Sequence, residues 1–268
     1  MPSASLSSSL SALAVPDLRG KVALVTGAST GIGAAVARAL GAQGMKVAVH
    51  YNQSQGPAEQ VAADIKAAGG QALLVRADAR DSSAIRQAVA QVLQAFGQID
   101  VLINNAGGLV QRVPITEFTD ELFDEVLHLN ALSMLAFCRA VVPAMRSRGQ
   151  GGSIVNVTSI AARHGGGPGS VLYAGAKGFV STATRGLAKE LIPDRIRVNA
   201  VSPGVIATPF HERYSTPQMM EGFKNVIPMG RVGTADECVG AFVYLASEML
   251  SSYVNGQIIE VNGGQYMP

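Results

Sequence analysis

From residue 21 onward, short runs of apolar and β-branched residues alternate with alanine-rich stretches. KVALVTG (21–27), MKVAVHY (45–51), QALLVRAD (71–78), IDVLINNAG (99–107), GGSIVNVTS (151–159), RIRVNAVSPG (195–204) and GQIIEVNGG (256–264) are short, mostly apolar and bounded by turn residues. That is the pattern of strands covered on both faces. Between them, GIGAAVARALGAQG, a stretch ending at Gly70, residues 81–96, 122–146, 173–191 and 235–247 read as helices, Asp81 supplying an N-cap and Pro143 falling near the end of the fourth. A β-α-β series of this kind predicts an α/β protein with a parallel sheet between two helical layers. Residues 208–229 have the weakest helical periodicity, with three prolines and two adjacent methionines, and are expected to form a mobile flap.

Composition narrows the chemistry. The chain has 268 residues and a net charge of +2, and 15% of its residues are charged with neither charges nor aromatics clustered. No nucleic-acid partner and no membrane surface is indicated, and no apolar run approaches the length of a membrane span. Cys138 and Cys238 are a hundred positions apart with no C-x-x-C or histidine-rich spacing, so no metal site or disulfide is expected; buried thiols and a cytoplasmic location are. The opening MPSASLSSSLSALAVPD lacks a basic and a continuous apolar segment, so residues 1–17 are expected to be a flexible tail before a single catalytic domain, 18–268.

Two motifs carry reactive groups. In YAGAK, Tyr173 and Lys177 are four positions apart, which on a helix puts phenol and ammonium on one face. An ammonium about 4 Å from a phenol at an effective dielectric of ~20 would favour phenolate by roughly 4 kcal/mol, about 3 pK units, creating an acid–base group for an alcohol–ketone pair. TGASTGIG (26–33) follows the first strand and opens the first helix, where helix N-terminal amides can receive a pyrophosphate. Gly27 permits the tight turn, Gly31 lets backbone approach phosphate, and Gly33 lets helix and strand pack closely. Ser159 ends the fifth strand, and Asn130 interrupts a mostly apolar helix.

TGASTGIG, NNAG (104–107), Asn130, Ser159, YAGAK and PGVIAT (203–208) together resemble the short-chain dehydrogenase/reductase family over residues 18–268. The resemblance implies a Rossmann-type, doubly wound, seven-stranded parallel sheet of order 3-2-1-4-5-6-7, and alcohol–ketone interconversion by hydride exchange with a nicotinamide. Tyr173 would exchange the proton, Lys177 would lower the phenol pKa and reach the nicotinamide ribose, Ser159 would hydrogen-bond the reacting oxygen, and Asn130 would support a water-linked relay to the lysine. Cofactor contacts implied are Gly27, Ser29, Thr30, Gly31, Ile32 and Gly33 on the turn and Tyr51 and Asn52 after the second strand. Asp78 and Ala79 after the third strand, Asn105, Ala106 and Gly107 in NNAG, and Pro203, Gly204, Ile206 and Thr208 in PGVIAT complete the set with Tyr173 and Lys177.

NAD-specific members usually carry an acid where this chain has Tyr51, so NADP(H) is favoured and NAD(H) is possible. The arginine common in NADP-binding relatives is absent near Thr30 and Asn52. Leu109, Arg112, Arg163, His164, the GGGPGS loop (165–170), His211, Arg213 and Tyr214 are expected to line the substrate pocket and point to a small polar, sugar-like or keto-acid substrate. Two alternatives stay open: a 3-oxoacyl-[acyl-carrier-protein] reductase, and a non-catalytic dinucleotide-binding regulator. Apolar residues on several faces of the helices carrying Asn130 and Tyr173 predict a homotetramer, or a homodimer.

Overall fold

A computed structural model describes residues 14–268. Seven parallel strands form the central sheet: β1 (Val22–Val25), β2 (Lys46–Tyr51), β3 (Gln71–Arg76), β4 (Val101–Asn104), β5 (Gly152–Val157), β6 (Ile196–Pro203) and β9 (Ile258–Val261), in the order β3-β2-β1-β4-β5-β6-β9. This is the expected order, with the seventh long strand preceded in the chain by two short ones, β7 (Ile206–Ala207) and β8 (Gly233–Thr234), which pair with each other. The strand order reverses direction between β1 and β4, and the carboxyl ends of those strands open a crevice there.

Helices α1 (Gly31–Ala42), α2 (Gln55–Ala67) and α10 (Ala235–Ala246) lie on one side of the sheet, and α3 (Ser82–Phe96), α5 (Ser133–Arg148) and α7 (Val171–Glu190) on the other. Each side has its own apolar core: Val25, Val36, Leu40, Val47 and Phe242 are fully buried in one, and Leu24, Val92, Leu102, Phe137 and Ile154 in the other. The alternation of Leu24 and Val25 between the two cores is the two-residue period of β1 buried on both faces. Asp81 caps α3 as expected, its carboxylate accepting from Ser83 N and Ala84 N.

Four expectations change. The apolar stretch 122–146 is not one regular helix: α4 (Asp120–Leu127) passes through a π turn (His128–Leu132) into α5. This continuous 29-residue run is also long and apolar enough to cross a bilayer, contrary to the sequence expectation, yet 56% of its most apolar window is buried inside the protein. Residues 208–229 fold into two short helices, α8 (Pro209–Tyr214) and α9 (Pro217–Val226), each begun by a proline at its first turn, with Thr216 capping the second through Met219 N. Of the expected tail, the first thirteen residues lie outside the described residues; Val15 is buried, and Asp17 accepts hydrogen bonds from Ser247 Oγ, Glu248 N and Met249 N. The packed chain therefore starts before residue 18, because the Asp17 carboxylate satisfies the N-terminal amides of α11 (Glu248–Ser251).

Candidate active site

One cavity of about 580 Å³ runs across the carboxyl ends of the strands, from Tyr51 and Asn52 past the Gly27–Ile32 turn to Tyr173 and on to α8. Of the residues expected singly at the site, it is lined by all but Gly33 and Asn130, which stand directly behind its wall, and Arg163; of the 165–170 loop it meets Gly166, Gly167 and Ser170.

The glycine-rich turn is fixed from three sides. Thr26 Oγ1 donates to Ile103 O and accepts from Asn105 N and Ala106 N, while Asn105 Nδ2 donates to Thr26 O and Gly27 O. A Cβ on Gly33 would lie 2.3 Å from Gly27 O and 2.4 Å from Asn105 Nδ2, so the helix can approach the turn this closely only as glycine. At Gly27, φ is +60° and a Cβ would lie 3.0 Å from Ala106 Cα, which leaves glycine as the residue for that position too. Thr30 is the N-cap of α1 but makes no side-chain capping bond, so the first amides of this helix face the cavity with their dipole uncompensated. These features fit a bound pyrophosphate.

His50 also faces the cavity, and the sequence reading passed over it. Its Nδ1 accepts from Gly27 N at 3.1 Å, its ring meets Phe137 edge-on at 5.2 Å, and its Nε2 is buried without a hydrogen-bond partner. Burial pushes its pKa down to about 4, slightly offset by the Ala77 carbonyl and the Asp78 charge. The available signal was a histidine directly after the apolar Val47–Val49 run of β2.

Beyond β3, the Asp78 carboxylate is gripped by Arg80 at 2.7 Å, and Arg80 reaches Glu125 at 2.6 Å; the Arg80 hydrogen bond holds Asp78 down at about 2. The carboxylate expected to contact the cofactor is therefore already engaged by Arg80. Arg76, directly opposite Tyr51 in the β2–β3 register, donates from Nε to Asn52 O at 3.2 Å. A guanidinium thus stands beside the end of β2 although none is near it in sequence.

At the other end, Tyr173 and Lys177 on α7 converge with Ser159, which lies two residues past the end of β5 and does not end the strand as expected. Burial pushes the Tyr173 phenol up to about 12, and the Ser159 hydroxyl draws it partly back by hydrogen bonding. Lys177 is 3% exposed, donates from Nζ to Val157 O at 2.8 Å, and is pushed down to about 8 by its desolvation. Its Nζ is 5.8 Å from the centre of the Tyr173 ring, and its hydrogen bond goes to the carbonyl at the end of β5. Asn130 sits on the π turn and is 1% exposed. Its Oδ1 accepts from Gly108 N, and its Nδ2 donates to Gly108 O and Val126 O. A Cβ on Gly107 would lie 2.8 Å from Asn130 Oδ1 and 3.1 Å from Lys177 Nζ, so these two polar groups flank the same glycine. The irregular helix turn that accommodates Asn130 is a common device at functional sites.

Leu109, Arg112, His164, His211, Arg213 and Tyr214 line this end as expected, whereas Arg163 is turned to Glu260 at 2.7 Å. Phe210, which was not expected, lies 5.7 Å from the Tyr173 ring and 5.1 Å from that of Tyr214. It could not be ranked in sequence because α8 is too short to show a periodicity.

A family model described as enoyl-(acyl carrier protein) reductase matches residues 27–265. The crystal structure of a short-chain type dehydrogenase/reductase from Mycobacterium marinum superposes with a TM-score of 0.89 at 35% identity, covering 95% of this chain and 98% of that one. The chain belongs to the short-chain dehydrogenase/reductase family. It is an oxidoreductase acting on CH–OH and C=O groups of small molecules with a nicotinamide dinucleotide. A relative named 3-oxoacyl-[acyl-carrier-protein] reductase from Synechocystis sp. is 38% identical over 250 residues, 93% of this chain and 98% of the relative. The crystal structure of the NADH-dependent reductase A1-R' complexed with NAD matches with a TM-score of 0.85 at 35% identity, covering 95% of this chain and all of that one.

Proposed function

We propose that this short-chain dehydrogenase/reductase interconverts a secondary alcohol and a ketone on a small polar substrate, with Tyr173 as the acid–base residue. The observation that carries the reading is the convergence of the Tyr173 phenol, the Ser159 hydroxyl and the Lys177 ammonium on the cavity whose far end is the uncapped N-terminus of α1. A nicotinamide dinucleotide, when bound, supplies or accepts the hydride.

The chain's own residues do the rest. The α1 amides and Ser29 would hold the pyrophosphate, and Asn105, Ala106, Gly107 and residues of the Pro203–Thr208 segment, which line the cavity, would support the rest of the dinucleotide. In reduction, Tyr173 donates its proton to the carbonyl oxygen while Ser159 hydrogen-bonds that oxygen; in oxidation, both roles reverse. A phenol held near 12 is a proton donor in the reductive direction, and its use as a base requires the positive field of Lys177, which is the nearest buried cation. Asn130 holds the Gly107–Gly108 backbone against Lys177 and positions the ammonium.

The cofactor reading is NADP(H), with NAD(H) as a second use. The β2 end carries Tyr51 where a diol-binding acid would repel a 2′-phosphate, and Arg76 adds a cation across the register. Two free, buried cysteines fit a reducing compartment, and the protein is assigned to the cytoplasm. The assembly proposed is a homotetramer built on α4–α5 and α7. The apolar residues of AFCRAVVPAM are mostly buried within the chain, and the surface left over is instead Phe123, Leu132, Val171 and Phe179.

The test is absorbance-monitored hydride transfer from NADPH and NADH to a ketone panel, and the reverse with alcohols. Turnover that depends on Tyr173 and Ser159 supports the reading, and a purified protein that binds NADPH but turns over no ketone overturns it in favour of a dinucleotide-binding regulator.

A further inference from the structure

The cavity is electrostatically divided. Its lining carboxylates, Asp78 and Glu125, are both at the Tyr51 end and both paired with Arg80. Around Tyr173, the lining holds Arg112, Arg213, His164 and His211, and no carboxylate among the described residues.

Arg112 is the unusual member. It is half-buried, and desolvation lowers its pKa, so the site holds a positive charge at a cost. Its Nε donates to Tyr214 O at 2.8 Å and its Nη1 to Pro168 O at 2.9 Å, and it forms no ion pair among the described residues. A guanidinium has five N–H donors; two are used here, and Nη2 makes no hydrogen bond. By contrast, Arg163, also on this side, is neutralised by Glu260. The Phe210 ring lies tilted against Tyr173 and edge-to-face on Tyr214, whose backbone carbonyl accepts from Arg112, so Arg112 and Tyr173 stand along one aromatic wall of the cavity.

We propose that Arg112 is a specificity residue that anchors a carboxylate on the substrate, and that the preferred ketones are therefore small keto acids. The inference rests on the reading of Tyr173 as the proton donor to the ketone. A planar guanidinium offering free, parallel N–H groups matches a carboxylate bidentately, and a low-dielectric wall strengthens that pairing. The two carbonyl contacts pre-orient the guanidinium by tying it to both α8 and the 165–170 loop. A neutral ketone would leave the cation unpaired in the closed site and would be disfavoured for that reason.

The test uses C4–C6 keto acids paired with their primary amides, which keep size and reacting carbonyl but remove the charge. In steady-state reduction by NADPH, the acid is expected to exceed its amide in kcat/KM by about 10- to 100-fold. Arg112→Gln should collapse that preference by raising KM for the acid at least about tenfold more than for the amide, and Arg112→Lys should restore part of it. Equal turnover of acid and amide by the parent protein, or an equal loss on both in Arg112→Gln, overturns the inference and makes Arg112 a staple between α8 and the loop. Calorimetric binding of the same acids and amides to the NADP⁺-loaded protein decides the matter independently of turnover. Acid and amide binding alike there overturns the carboxylate site, whereas failure of every ketone to turn over while the acids bind selectively overturns only the assignment of Tyr173.

Discussion

Lys177 directs its ammonium to the Val157 carbonyl at 2.8 Å and stands 5.8 Å from the centre of the Tyr173 ring. The two side chains share a helix face, and the hydrogen bond of the ammonium goes to that carbonyl.

Tyr173→Phe is expected to lower kcat by about 10²- to 10⁴-fold while leaving cofactor affinity nearly unchanged, since the ring keeps its packing on Phe210 and only the proton is lost. Stopped-flow hydride transfer and fluorescence titration of NADPH on the purified variant check both halves. Near-parental turnover at neutral pH would remove Tyr173 from its role.

Tyr51→Asp should weaken NADP binding more than NAD binding, because a carboxylate at the end of β2 repels a 2′-phosphate and offers the ribose diol two acceptors. The Kd ratio for the two cofactors is expected to shift toward NAD by about tenfold or more. An unchanged ratio would mean that this side chain does not face the 2′ position.

His50 makes stability depend on pH in a definite direction. Its folded pKa of about 4 lies below the ordinary 6.5, so between those values the unfolded chain binds more protons. Stability attached to this group is complete above pH 6.5 and is lost as pH falls toward 4, by up to about 3 kcal/mol. His50→Asn retains an acceptor near Gly27 N and removes the titration. Urea midpoints at pH 7 and pH 4.5 should converge more closely in the variant than in the parent protein.

Gly33→Ala should cost about 1–3 kcal/mol and weaken dinucleotide binding by tenfold or more, because its methyl group would fall 2.3 Å from Gly27 O. Gly56→Ala in α2 is the matched control, with nothing within 4 Å of the added Cβ; it should be neutral or stabilising by about 0.5 kcal/mol. Thermal melts of both variants, with and without NADPH, check the contrast.

Sedimentation equilibrium at micromolar protein should give a mass near four chains of 27.7 kDa each. Phe179→Glu, on the exposed side of α7, should dissociate the assembly. A parent protein that is a fully active monomer would overturn the proposed assembly.

The sequence by itself determined the sheet and the ends at which chemistry can occur. Apolar runs such as VALV and VLIN are buried along their whole length, and the positive φ at Gly27 and Gly31 is a local backbone requirement that glycine meets. The four-residue step from Tyr173 to Lys177 likewise fixes a shared helix face. Tertiary structure alone decided where the charged ends of long side chains went, since a flexible stem leaves that choice to whichever acceptor lies within reach. Lys177 found the Val157 carbonyl, Arg163 found Glu260, Arg80 took Asp78, and Arg76 arrived beside Asn52 through strand register. Arg112 met backbone carbonyls but no carboxylate among the described residues, and only the assembled cavity puts it in the same lining as Tyr173.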